Sequence, residues 1–370
     1  MKAAVLDRPG SPFRIEDVDL APPRTGEVLV SVAAAGVCRS DLHVRSGATA
    51  HPMPVVCGHE ASGVVREVGA GVVRVRPGQR VVLSWAPSCG ECFFCVRGLP
   101  AQCETYIRAI WSGTLMDGTP RLSLGGSPVF HFCALATFAE ATVVHESSCI
   151  PLPDGVPLDA AALVGCAVTT GVGAVLLRAR VTAGSTVAVF GCGGVGVNIV
   201  QGAALAQAAR VVAVDPNPSR IELARRLGAT DGVDPSTMDP VQMIRDLTGG
   251  RGADYTFEAI GRPAVMAQAI EASRRGGTIV LVGLGGRGES VALGADTFTR
   301  SDKALTSAYY GGCDPRRDMP MILDLCASGR IKLQELIGQR RPLAQINEAF
   351  ERLEGSGDLR TLITFAAGGG

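Results

Sequence analysis

Cys89, Cys92, Cys95 and Cys103 lie in CGECFFCVRGLPAQC, separated by two, two and seven residues. Thiolates held this close suit one tetrahedral zinc, which binds sulfur readily and imposes little geometry of its own. Gly90 and Gly98 let so short a loop wrap around an ion. Disulfides would be the other use of these residues, and they need an oxidising compartment. The opening MKAAVLDRPG has no apolar stretch of signal-peptide length. The expectation is therefore a zinc lobe in a cytoplasmic protein. With four thiolates the ion has no position left for a substrate, so the lobe reads as a staple.

A second pattern follows the apolar run STVAVF: Gly191, Cys192, Gly193, Gly194, Val195 and Gly196, with a helical segment opening directly behind them. Spaced glycines at a strand-to-helix turn allow a tight bend, close approach of a pyrophosphate and close packing of helix on strand. The helix N-terminus then receives the phosphate charge. Asp215 closes the next strand-like run, RVVAVD, 19 residues beyond Gly196. A carboxylate there accepts hydrogen bonds from ribose hydroxyls and repels a 2′-phosphate, which favours NAD over NADP. Arg220 lies near enough in sequence to reach the same ribose.

Three further metal-type residues are Cys38 in GVCRSDLH, His59 in CGHE and Cys166 in LVGCAVTTG. They are too far apart for spacing to join them. Taken singly, Cys38 and Cys166 read as buried apolar residues and His59 as a satisfied loop histidine more readily than as one metal site.

The elements that must position these groups fall into two kinds. A chain of 370 residues is long enough for about two domains. Up to about residue 150 short β-type runs such as GEVLVSVAAAG, ASGVVREVG and VRPGQRVVLSW alternate with Pro and Gly turns, as in a small barrel. Residues 104–132, with GTLMDGTPRLSLGG, read as a polar surface loop. From about 168 strand and helix alternate, which implies parallel strands with crossover helices. After about 310 the pattern is mixed again and ends in the strand-like RTLITF. Lys plus Arg and Asp plus Glu are equal at 35 each, so no net field draws nucleic acid or anionic lipid. No apolar run approaches membrane-spanning length.

Taken in order, GVCRSDLH, GHEASGVV, CGECFFCVRGLPAQC, GCAVTTG, VFGCGGVG, VVAVD and RTLITF resemble the zinc-dependent medium-chain alcohol dehydrogenases over nearly the full length. The resemblance implies an α/β fold: a GroES-like β-rich catalytic domain at 1–167 and 311–370, and a Rossmann doubly wound parallel-sheet domain at 168–310. It implies two zinc ions per chain, the catalytic one held by Cys38, His59 and Cys166 with one position open to water or substrate. Glu60 would stand behind that metal, and Asp41 would hold the far nitrogen of His59. Ser40 and His43 match the proton relay. Arg39 and Arg360 match contacts to the pyrophosphate, and Thr170 matches a position beside the nicotinamide.

By the same resemblance Thr49, Trp85, Arg108, Phe132 and Cys133 would line the substrate pocket, whose apolar character suits primary aliphatic or aromatic alcohols. LSWAPSCG and SAYYGGCDPRRDMPMILDL resemble a mycothiol-dependent formaldehyde dehydrogenase branch instead, for which the substrate is an S-(hydroxymethyl) thiol. Relatives with a similar tail hold NAD tightly and use another electron acceptor. A non-catalytic nucleotide-binding relative would be expected to have lost zinc ligands or the relay, and this chain keeps both. Members of the family pair through the edge of the Rossmann sheet, here GTIVLVG and KALTSAYY, as dimers or tetramers.

Overall fold

The computed structural model describes residues 1–355 and 360–365. Two compact units emerge: Met1–Cys166 with Asp314–Gly370, and Ala167–Cys313.

The first unit is built on the strand Glu27–Gly36, in which Val28, Val30 and Val32 are buried while Leu29, Ser31 and Ala33 between them are half-exposed. This period of two, carried by β-branched residues, is what a strand with one face on a core requires. The strand pairs antiparallel with Ala61–Val68, with Ala141–His145 and with Thr361–Thr364 in a seven-stranded sheet. A six-stranded sheet completes the β-rich unit. Phe13, Phe138 and Phe350 meet in its core, with ring centroids 4.9 Å apart for Phe13 and Phe350 and 6.0 Å for Phe138 and Phe350.

Residues 104–132 are not the surface loop expected from their polarity. They form a helix, Glu104–Ser112, that buries Tyr106, Ala109 and Ile110, and a hairpin of Leu122–Leu124 and Ser127–His131. Arg121 at its base is 2% exposed and forks onto Glu27, donating from Nε to Oε2 at 2.9 Å and from Nη2 to Oε1. The partner lies 94 residues away, so nothing local announces that this arginine is buried.

The second unit holds six parallel strands. Thr186–Phe190 lies beside Ala253–Glu258 on one side and Arg210–Val214 on the other; Asp231–Val233 follows outward from Arg210–Val214, and Ser273–Leu281 then Ala304–Ser307 from Ala253–Glu258. Strand order therefore reverses between Thr186–Phe190 and Ala253–Glu258, the switch point where such sheets bind ligands. Thr186–Phe190 is buried over four of its five residues, the continuous apolar run of a strand covered on both faces. Of the two segments expected at the sheet edge, KALTSAYY supplies the edge strand, whereas GTIVLVG lies one strand inward with neighbours on both sides. No single helix among the described residues is long and apolar enough to cross a membrane.

Candidate metal and dinucleotide sites

Where the strand Glu27–Gly36 ends, Cys38 caps the helix Arg39–Ser46. Asp41, three residues into the turn, is fully buried and holds the local chain together. Its Oδ2 accepts the Cys38 N–H at 3.2 Å, and its Oδ1 accepts the Gly58 N–H at 2.9 Å and faces His59 Nδ1 at 3.1 Å. A carboxylate on Nδ1 fixes the proton there and leaves Nε2 as the lone-pair nitrogen. Nε2 is buried with no nitrogen or oxygen partner among the described residues, a costly state for a polar atom unless something occupies it.

Cys38, His59 and Cys166 are all buried, with one ligand atom of each within 4.8 Å of the others. The Cys166 thiol hydrogen-bonds the Cys38 sulfur and, with Arg360 and His59 also opposing burial, drives Cys38 well below the ordinary thiol range. Cys166 moves the opposite way because it keeps the shared proton. Burial would lower His59, yet Asp41 and Cys38 hold it well above its usual value. Two sulfurs and one imidazole nitrogen, each with an unshared electron pair to donate once deprotonated, match a zinc donor set, and three protein donors leave a four-coordinate ion one position for a small molecule.

Glu60 is also fully buried. It fits because Gly36 has no side chain: a Cβ there would stand 2.1 Å from Glu60 Oε1. Arg360, 5% exposed, places Nε 3.5 Å from that same oxygen and donates from Nη1 to the Val37 carbonyl at 3.2 Å. Its guanidinium thus lies beside Glu60 and within the field of Cys38 and Cys166.

Ser40 Oγ is 3.9 Å from Cys38 Sγ, and His43 lies one turn further along the same helix, half-buried. Thr49 donates its N–H to the His43 carbonyl at 2.9 Å. Trp85 and Phe132 stand nearly perpendicular to the His59 ring, at centroid distances of 6.3 and 5.4 Å. Cys133 is buried beside Phe132 with φ of 54°. Arg108 and Arg39 are exposed, and Thr170 is half-buried in the helix Ala167–Gly173 of the other unit. The sequence reading passed over His51, whose ring meets Phe132 edge-on at 5.6 Å. Its only signal was an imidazole close behind the Cys38 helix.

In the cysteine lobe the four sulfurs again lie within 4.8 Å of one another. Cys89 and Cys95 sulfurs are 3.9 Å apart and those of Cys92 and Cys103 3.8 Å, far beyond the ~2.05 Å of a disulfide. Burial opposes ionisation of Cys89, but hydrogen bonds from the Thr105 side chain and from the Glu91 and Cys92 N–H groups bring it down to about 6. Backbone amides turned onto sulfur are what a thiolate–metal knot needs.

In the second unit the three spaced glycines differ in surroundings. A Cβ on Gly191, whose φ is +91°, would meet Ile260 at 2.4 Å, and one on Gly196 would stand 1.7 Å from the Gly191 carbonyl oxygen. Both are packing positions. A Cβ on Gly193 would touch nothing within 4 Å, so backbone there is open to a ligand. The N–H groups of Gly193, Gly194 and Val195 have no partner among the described residues, and the helix Gly196–Leu205 begins behind them. This is a cradle for an anion. Asp215, 2% exposed, accepts the Cys192 N–H at 2.8 Å and the Asn217 N–H at 2.9 Å, with Arg220 Nη1 3.7 Å from its Oδ2. The carboxylate is thereby fixed beside the glycine turn with acceptor capacity to spare.

A family model described as alcohol dehydrogenase GroES-like domain matches residues 24–154, and one described as zinc-binding dehydrogenase matches 194–328. An S-(hydroxymethyl)glutathione dehydrogenase of Photobacterium damsela subsp. piscicida is 39% identical over 367 residues, covering 98% of this chain and 99% of the relative. The crystal structure of an alcohol dehydrogenase zinc-binding domain protein from Burkholderia ambifaria superposes with a TM-score of 0.94 at 35% identity, over 99% of this chain and 98% of that one. Benzyl alcohol dehydrogenase from Acinetobacter calcoaceticus does so with a TM-score of 0.93 at 30% identity, over 99% of each.

Proposed function

The chain belongs to the zinc-dependent medium-chain alcohol dehydrogenase family, and from that premise we propose that it transfers hydride reversibly between a primary alcohol and NAD, giving the aldehyde. The observation that carries the reading is the buried Cys38, His59, Cys166 donor set with the rings of Trp85 and Phe132 packed perpendicular to His59. Aromatic rings beside the donors favour an apolar or aromatic alcohol. Bound zinc would supply a Lewis acid that lowers the pKa of an alcohol, and bound NAD the carbon that accepts hydride. A second zinc in the Cys89, Cys92, Cys95, Cys103 lobe is structural in this reading.

The residues around the donors hold and move protons. Asp41 keeps Nδ1 of His59 protonated. Ser40, beside Cys38, takes the alcohol proton, and His43 passes it to solvent. Burial first, then the charge of Arg39, lowers His43 below its usual 6.5, against an upward pull from Cys38. A base must be neutral to accept a proton. Alcohol oxidation should therefore hold its plateau to below pH 6.5 and fall as the pH drops through the His43 pKa. His43→Ala should remove that limb and make the rate rise with added imidazole; a pH–rate profile identical to the parent's would exclude the relay.

Asp215 is assigned to the adenosine ribose of NAD, with Arg220 beside it, and the Gly191–Gly196 turn to its pyrophosphate. Loss of hydrogen bonds to a charged group costs about 1.5–3 kcal/mol. Asp215→Ala should raise the KM for NAD by roughly 10–100-fold and make NADP a usable substrate, since Arg220 would then meet a 2′-phosphate unopposed. Unchanged kcat/KM ratios for the two cofactors would remove the assignment.

A second reading has its own support: the 39%-identical relative is an S-(hydroxymethyl)glutathione dehydrogenase. NADH formation at 340 nm across ethanol, longer primary alcohols and benzyl alcohol, run beside formaldehyde with glutathione or mycothiol, separates the two. Turnover confined to the thiol adducts would overturn the primary-alcohol reading and establish the other.

A further inference from the structure

The helix Gly196–Leu205 is apolar except at Asn198 and Gln201, and both are buried, at 0% and 3% exposure. Polar side chains three residues apart on one helix face are neighbours, and these two are bonded: Gln201 Nε2 donates to Asn198 Oδ1 at 3.0 Å. With its oxygen so occupied, the Asn198 amide turns its nitrogen to the glycine turn, where Nδ2 donates to the Gly194 carbonyl at 2.7 Å. The backbone has left that carbonyl without its usual helical partner. The Asn198 N–H, which would serve Gly194 in a regular helix, bonds the Val195 carbonyl at 3.0 Å instead, and Ile199 shares the same acceptor at 3.0 Å. The helix carrying Gly171 packs closely against the base of Asn198, where a Cβ on Gly171 would stand 2.6 Å from the Asn198 Cβ.

A trans peptide is planar, with its C=O and N–H pointing in opposite directions. Holding the Gly194 carbonyl toward the helix therefore holds the Val195 N–H away from it, into the space beside Gly193 that is open to a ligand. We propose that Asn198 is a positioning residue for the dinucleotide pyrophosphate: its amide, itself oriented by Gln201, fixes the 194–195 peptide so that the Val195 N–H is presented to the anion before it arrives. The proposal rests on the reading of this turn as a dinucleotide site. It accounts for two buried polar side chains in an otherwise apolar helix, and it separates a residue that aims the cradle from the glycines that make room for it. Preorganised backbone donors bind an anion better because no rearrangement is charged against the contact.

The test compares ADP-ribose, which carries the pyrophosphate, with adenosine, which does not, by calorimetry and saturation-transfer NMR on the intact enzyme. Asn198→Ala should weaken ADP-ribose about tenfold, the scale of one hydrogen bond, and leave adenosine within twofold. Gln201→Leu should give a smaller loss by letting the amide turn, and no additional loss when combined with Asn198→Ala, since its effect runs through that residue. Equal weakening of both ligands in Asn198→Ala, additive losses in the double variant, or unchanged ADP-ribose affinity would each overturn the proposal. Failure of the parent enzyme to bind ADP-ribose would instead bring down the dinucleotide reading beneath it.

Discussion

Cys38→Ala should leave a folded protein that has lost one of two zinc ions and at least about 10³-fold in kcat, or about 4 kcal/mol of transition-state stabilisation. The size follows from what the ion supplies: Lewis-acid stabilisation of developing charge is worth several kcal/mol. The fold should survive because the thiol's part in the local scaffold is one capping contact to the Asp41 N–H, and the other ties remain. Asp41 is held by the backbone N–H groups of Cys38 and Gly58 and by His59, none of which the substitution removes. Elemental analysis, kcat and the thermal midpoint read the three consequences separately. Two zinc ions retained, or turnover within tenfold of the parent, would defeat the assignment of Cys38.

Cys103→Ala should do the reverse. Cys103 is 3% exposed and precedes the helix Glu104–Ser112, so the lobe and that helix share a hinge of one residue. Tyr106, one turn on, bonds Ser147 Oγ at 2.8 Å and ties the helix to the β-rich unit. Zinc holding such a loop contributes folding free energy directly, on the order of 10 kcal/mol in isolated peptides. Even a part of that should lower the thermal midpoint by more than about 10 °C, at roughly 2–4 °C per kcal/mol for a domain of this size. Freshly prepared variant should contain one zinc and turn over at low temperature, then inactivate quickly on warming. A midpoint unchanged at a zinc content of one would show that the lobe is dispensable.

The two metal sites were legible to different degrees for a geometric reason. The lobe's donors are neighbours in the chain, so their spacing already describes a closed coordination shell. Cys38, His59 and Cys166 sit on three separate elements, and only resemblance to a family joined them before the fold did. The parallel sheet could be read because period and composition repeat over more than a hundred residues. The hairpin of residues 122–131 could not, because its decisive contact is Arg121 on Glu27. Asn198 and Gln201 were visible as two polar interruptions in an apolar helix, but their meaning depends on a carbonyl that the backbone leaves over.

The placement of one strand also sets an order of assembly. Residues 167–313 are contiguous and hold all the parallel strands of their sheet, so that unit has everything it needs once it leaves the ribosome. The β-rich unit does not. Thr361–Thr364 pairs with Ala34–Gly36, two residues before Cys38, and Arg360 closes over Glu60. The cysteine lobe can take its metal while translation continues, whereas the centre at Cys38, His59 and Cys166 gains its final wall only when residues 360–365 have been made. A nascent chain stalled before that point would carry a complete parallel sheet, while the end of the strand Glu27–Gly36 and the Glu60 carboxylate still lacked their C-terminal partners.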